Sequence, residues 1–139
     1  MLLDVGVWLA AAWADHQFHS RVRDWLSDRT ENLAMCRVAQ MGVLRLLSTP
    51  AVMGTQVLSR AEAWMAVDRL RDDDRVGWAL EPPNLEPVWR AISARPDNSH
   101  RLWTDDYLAA FAQVSGMTLA TLDRGFKRRY PSVSVETLL

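Results

Sequence analysis

Met1-Leu2-Leu3-Asp4 and Leu119-Ala120-Thr121-Leu122-Asp123 are the two stretches whose reading decides the fold. Each is a short apolar run closed by an aspartate, and each reads as a buried strand. A carboxylate at the carboxyl end of a buried strand lies at the mouth of an open α/β sheet, where ligands bind. Asp105 follows Thr104 at what reads as the first turn of a helix. The helix dipole favours negative charge there, and that turn faces the same rim. Three carboxylates far apart in sequence are therefore expected to converge on an acidic pocket. Crowded carboxylates must either take up protons or share a cation. From spacing alone, a metal pocket and three unrelated structural roles both stay open, since Asp105 could simply complement a helix dipole.

The chain has 139 residues, the size of one domain, 1–139, with a real core. Hydrophobic residues make up 49%, which excludes a disordered chain. The net charge of −1 argues against a bulk electrostatic grip on nucleic acid. The signs are locally segregated, with Arg124, Lys127, Arg128 and Arg129 clustered near the C-terminus. Fifteen of the sixteen basic residues are Arg, the side chain that pairs bidentately with phosphate, although a bias of composition explains most of them. Cys36 is the only cysteine, which excludes an internal disulfide and suits a reducing cytoplasm. Met1 to Ala14 is apolar, yet Asp4 interrupts it and no basic residues precede it. It is too short to cross a bilayer and reads as a strand running into a helix, so no membrane association is expected.

Strand-like and helix-like stretches alternate along the chain. Phe18, Val22, Trp25 and Leu26 predict an amphipathic helix over about 17–29. Asn32 to Cys36 reads as a strand, and Gln40 to Ser48 as a helix ended by Thr49-Pro50. Ser59 and Glu62 form a capping box for a helix that stops near Arg71, before the solvated turn Asp72-Asp73-Asp74. Gly77 to Leu80 predicts a strand broken by Pro82-Pro83, and Asn84 caps a short helix holding Val88, Trp89 and Ile92. Thr104 is expected to cap the next helix, with Leu108, Phe111 and Ala112 inward and Gly116 closing it. Val133 to Val135 is a weak last strand. This alternation predicts an α/β fold, a parallel sheet covered by helices on both faces.

Four blocks carry a resemblance. They are Leu2-Leu3-Asp4-Val5, the stretch from Cys36 through Gln40 and Arg45 to Ser48, Thr104-Asp105-Asp106-Tyr107-Leu108-Ala109-Ala110, and Leu119 to Phe126. In order and spacing the chain resembles the PIN-domain ribonucleases, especially the VapC toxins of bacterial toxin–antitoxin pairs. The resemblance implies a three-layer α/β/α sandwich with a central, mostly parallel sheet. It implies divalent-metal-dependent cleavage of RNA by Mg²⁺ or Mn²⁺, a homodimer, and a small VapB-like antitoxin that covers the cleft. Asp4, Asp105 and Asp123 match family acids that bind the metal or its waters. Gln40 stands where most PIN domains have Glu, so its amide can orient a water but brings no charge. Gly6 stands where the family often has a small polar residue. These departures keep open a catalytically weakened PIN domain that acts by binding RNA or protein.

Other residues have plainer readings beside functional ones. Asp106 adjoins Asp105 but points elsewhere on a helix, which favours a solvated or capping role. His100 lies just before the same helix and could contact phosphate. Arg45 is one turn beyond Gln40 and Arg124 follows Asp123, so both are candidates to clamp RNA phosphate. His16 and His19 have helical spacing but no third ligand, which favours surface roles over zinc. Most of the seven tryptophans are expected in the core, with Trp13 and Trp64 partly exposed. A phosphoaspartyl hydrolase of the haloacid type also places Asp after its first strand. That chemistry needs a second Asp two residues on, where this chain has Gly6.

Overall fold

The computed structural model describes residues 1–139. Five strands form one sheet: β1 (Leu2–Leu3), β2 (Leu33–Cys36), β3 (Val76–Ala79), β4 (Leu119–Thr121) and β5 (Val135–Thr137). Their order is β3-β2-β1-β4-β5, and every pairing is parallel. The chain thus builds outward from β1 through β2 to β3, then returns to lay β4 and β5 on the other side. Order reverses at β1, so a crevice opens between the carboxyl ends of β1 and β4.

The helices are α1 (Val5–Ala12), α2 (His19–Ser27), α3 (Arg37–Leu47), α4 (Pro50–Met53), α5 (Arg60–Arg71), α6 (Leu85–Ser93), α7 (Trp103–Ser115) and α8 (Phe126–Arg129). Right-handed crossovers send the helices between β1 and β3 to one face of the sheet and those between β3 and β5 to the other. The packing follows: α1 lies against α2, α3 and α5, while α6 pairs with α7. The expected three-layer α/β/α sandwich is therefore present. Its core is one cluster that includes Leu2, Leu3, Trp8, Met35, Phe111 and Phe126. Strands β1, β2 and β4 are buried on both faces, which is why they read as continuous apolar runs.

Local chemistry fixes several boundaries. The capping box forms as expected: Ser59 Oγ accepts from Glu62 N at 3.1 Å, and Glu62 accepts from Ser59 N at 3.0 Å. Gly116 closes α7 at φ 67°, a conformation that suits a residue without Cβ. Four expectations fail. Helix α3 starts at Arg37, directly after β2, because Cys36 itself turns the chain from extended to helical geometry. Pro50 opens α4 rather than merely ending α3, since its missing N–H costs nothing in a first turn. Thr104 makes no cap: α7 begins at Trp103, with Leu102 in the capping position. The last strand is Val135–Thr137, two residues later than expected. Only Trp8 among the seven tryptophans is fully buried, because most helices lie at the surface and bury only one stripe.

Candidate active site

The carboxyl end of β1 runs straight into α1, with Asp4 at the junction in extended geometry. Its amide donates to Ala120 O at 3.0 Å, which ties the junction to β4. Two residues past the end of β4, Asp123 lies in a turn whose loop it closes itself: its Oδ1 accepts from Gly125 N at 2.7 Å. Asp105 lies in the first turn of α7. The switch point of the sheet thus gathers the three aspartates that the sequence marked.

Thr121 organises the pair from the sheet. Its hydroxyl, fully buried in β4, donates to Asp4 Oδ2 at 2.8 Å and accepts from Asp123 N at 3.0 Å. One side chain therefore orients one carboxylate and the backbone of the other. Sequence reasoning passed over Thr121 as part of an apolar run. Its signal was a polar residue inside that run, two places before the aspartate.

Arg129, at the end of α8, was also missed; it counted only as one of a basic cluster. Its Nη2 lies 3.0 Å from Asp105 Oδ2 and also donates to Asp123 Oδ2. The guanidinium so bridges two of the three acids. No set of three His, Cys, Asp or Glu side chains closes around one point ready to hold an ion.

The electrostatics separate the three groups. Burial raises the Asp4 carboxyl above its usual range, against the Thr121 hydrogen bond that lowers it, and Asp123 adds to the rise. Burial, helped by Asp4, pushes Asp105 up to about 6, while Arg129 opposes the rise. Asp123 is held below its usual range, chiefly by its hydrogen bond from Arg129. Two groups thus favour the proton and one favours charge. Carboxylate oxygens of this kind suit a hard divalent cation, which would relieve the mutual repulsion that Arg129 now partly offsets.

The remaining candidates sort by position. Gln40 is buried, 2% exposed, in the first turns of α3, and its Oε1 accepts from Arg37 rather than facing an aspartate as a partner. Arg45 stands in the last turn of α3, about 12 Å along the helix from its start at the rim. It is exposed and forms no ion pair with the acids. His100 and Arg124 are exposed, and Arg124 directly follows Asp123. His100 lines a cleft of about 990 Å³ together with Arg95, Trp103, Asp106, Arg129 and Tyr130. Gly6 faces only Leu122 within contact range, so no polar group stands in its place. Asp106 corrects the solvated reading: it is buried, and Tyr130 Oη donates to its Oδ1 at 2.6 Å. His16 and His19 spend their Nδ1 atoms locally, on Phe18 N at 3.1 Å and Ala10 O at 2.7 Å.

The PIN domain model matches residues 1–130. The chain belongs to the PIN domain family. Within that family it is 39% identical over 132 residues to Ribonuclease VapC41 of Mycobacterium tuberculosis, covering 91% of this chain and 90% of that protein. In fold, this PIN domain resembles the crystal structure of VapC20 of Mycobacterium tuberculosis, a sarcin-ricin loop cleaving toxin, with a TM-score of 0.70 at 15% identity. That match covers 91% of this chain and 92% of that one. The structure of VapBC-1 from nontypeable Haemophilus influenzae matches with a TM-score of 0.65 at 12% identity, over 99% and 96% of the two chains. The PIN resemblance read from four sequence blocks is borne out. No helix of this PIN domain is long and apolar enough to cross a membrane.

Proposed function

We propose that this chain is a divalent-metal-dependent endoribonuclease acting in the cytoplasm as the toxin of a type II toxin–antitoxin pair. The observation that carries the reading is the meeting of Asp4, Asp105 and Asp123 at the sheet switch point of a PIN domain. Asp4, Asp105 and Asp123 are the residues to hold Mg²⁺ or Mn²⁺, with Gln40 nearby as a neutral, water-orienting amide. The ion, when bound, supplies a water of lowered pKa and neutralises charge on the phosphodiester. The protein's own groups do the rest. Thr121 fixes Asp4 toward the crevice. Asp105, more enclosed than Asp123 and pushed up to about 6 by burial, would release its proton when it takes the ion. Arg124, exposed next to Asp123, and His100, exposed on a cleft that Arg129 also lines, are the side chains to contact RNA phosphate.

A small VapB-like antitoxin and a second copy of the chain are the expected partners. A basic side chain of the antitoxin, reaching the acids in a partly desolvated crevice, would replace cationic charge and exclude RNA together. One observation favours a second reading, a weakened PIN domain that binds RNA or protein: Gln40 brings no charge and is already occupied by Arg37. Purified protein incubated with total RNA, with and without Mg²⁺ or Mn²⁺, separates the two. New RNA ends that require the metal support the nuclease. RNA retention without new ends supports the binding module.

A further inference from the structure

Arg129 is not a loosely placed surface cation. Its Nη2 spans Asp105 and Asp123, and its guanidinium carbon lies 5.8 Å from the Phe126 ring and 5.7 Å from the Tyr130 ring. Its backbone amide donates to Gly125 O at 3.1 Å. Gly125 also makes room for the side chain. A Cβ at that position would lie 2.8 Å from Arg129 Nη1 and 3.2 Å from Asp123 Oδ1. The turn after β4 thus brings the guanidinium and the carboxylate it touches close against Gly125. All four basic residues of this segment are exposed, but Arg124, Lys127 and Arg128 form no ion pair, whereas Arg129 forms two.

Charge gives the arrangement its meaning. Three ionised aspartates and one guanidinium leave two negative charges, and Gln40 adds none. A single divalent ion balances that remainder. We propose that Arg129 is a built-in counter-cation that competes with divalent ions for the Asp105–Asp123 side of the site and limits the chain to one tightly held ion. The inference rests on the metal-site reading above. It adds that the chain supplies from its own α8 the charge that a second ion would otherwise bring. Loading of the Asp105–Asp123 side then requires the guanidinium to leave its notch.

The test is a calorimetric titration of Mn²⁺ into the metal-stripped full-length protein, with RNA cleavage measured in parallel. Wild type is expected to take up one ion. Arg129→Gln should bind Mn²⁺ roughly tenfold more tightly, the factor that removing one nearby unit charge gives even in a water-like dielectric. Arg129→Lys keeps the charge but loses the fork, and should stay within a few-fold of wild type, which controls for misfolding. Lys127→Gln removes the same charge without touching an aspartate and should change little. Unchanged or weaker binding by Arg129→Gln overturns the proposal, as does an equal gain in Lys127→Gln. Uptake of two ions by wild type also overturns it. Absence of Mn²⁺ binding in every variant overturns the metal reading and the proposal together. Metal-dependent cleavage with no gain in Arg129→Gln removes only the proposal.

Discussion

Asp105 and Asp123 share one guanidinium and end with opposite acidities. Asp123 is the more open of the two and takes the hydrogen bond from Arg129 as its main influence, so it stays charged. Asp105 is more enclosed and faces Asp4, so burial dominates and its carboxyl is pushed up to about 6. The sign of the pH effect follows. In the unfolded chain Asp105 ionises in the ordinary carboxylate range, near 3.8, so between there and about 6 the native state holds the extra proton. Metal-free protein should therefore gain stability as pH falls from 7 through 6, with the gain complete below the unfolded value. The complete contribution of Asp105 is at most about 3 kcal/mol. Urea melts in EDTA at pH 7 and pH 4.5 should show it, and Asp105→Asn should reduce the difference. A slope equal in both proteins would count against the assignment. The same proton competes with a cation, so Mn²⁺ affinity should fall as pH drops below 6. Asp4→Asn and Asp105→Asn should each abolish RNA cleavage while leaving the circular dichroism spectrum unchanged. Cleavage that survives either substitution, or survives EDTA, would remove these residues from the chemistry.

Two contacts between elements hold the site in register. Helix α3 approaches α1 at Gly42, where a Cβ would lie 2.8 and 2.9 Å from the two γ-carbons of Val5. Val5 is β-branched, so no rotamer clears both carbons from the path of a new methyl. Val5 follows Asp4 directly, and strain there reaches the first carboxylate. Gly42→Ala is expected to cost about 1–3 kcal/mol in a denaturant melt and to lower activity further than the stability loss alone explains. A melt equal to wild type would show that the two helices can separate freely. The second contact joins α7 to the residue after α8: Tyr130 donates to buried Asp106. Tyr130→Phe leaves that carboxyl without its partner and should cost about 1–3 kcal/mol. It also loosens α8, which carries Arg129. An unchanged midpoint would mean that water replaces the hydroxyl at no cost.

At the scale of the molecule, α3, α4, α5 and the segment between α4 and α5 leave large apolar side chains exposed. Trp64 is 47% exposed, Met65 57% and Met41 62%, with Val52 and Val57 close behind. Apolar surface gathered on neighbouring helices marks an interaction site more often than isolated exposure does. The segment from Val57 to Leu70 is the proposed surface for the second copy. Light scattering at high micromolar concentration should report a dimer, and Trp64→Glu should shift it toward monomer with the fold intact. A monomer in wild type would remove the dimer from the proposal. Trp103, 56% exposed at the mouth of the cleft near His100, is a separate case, since it packs on Trp89 with ring centroids 6.1 Å apart.

The sequence by itself determined the layered α/β architecture. Buried parallel strands must be apolar on both faces, and Leu2-Leu3 and Leu119-Ala120 obey that rule visibly. It also put Asp4, Asp105 and Asp123 on one rim, because strand ends and helix starts share a rim in a parallel sheet, but left open whether they act together. The capping box at Ser59 and the stop at Gly116 were legible for a similar reason: their chemistry is local. What tertiary structure alone decided is how the three acids are balanced. Thr121 joins Asp4 across 117 positions, Arg129 reaches Asp105 across 24, and Tyr130 holds Asp106 across the same 24. No periodicity encodes such pairs, since each depends on two elements packing at one angle. The tryptophans show the same limit. Composition marks them as apolar, but only packing decides which one, Trp8, loses all contact with water.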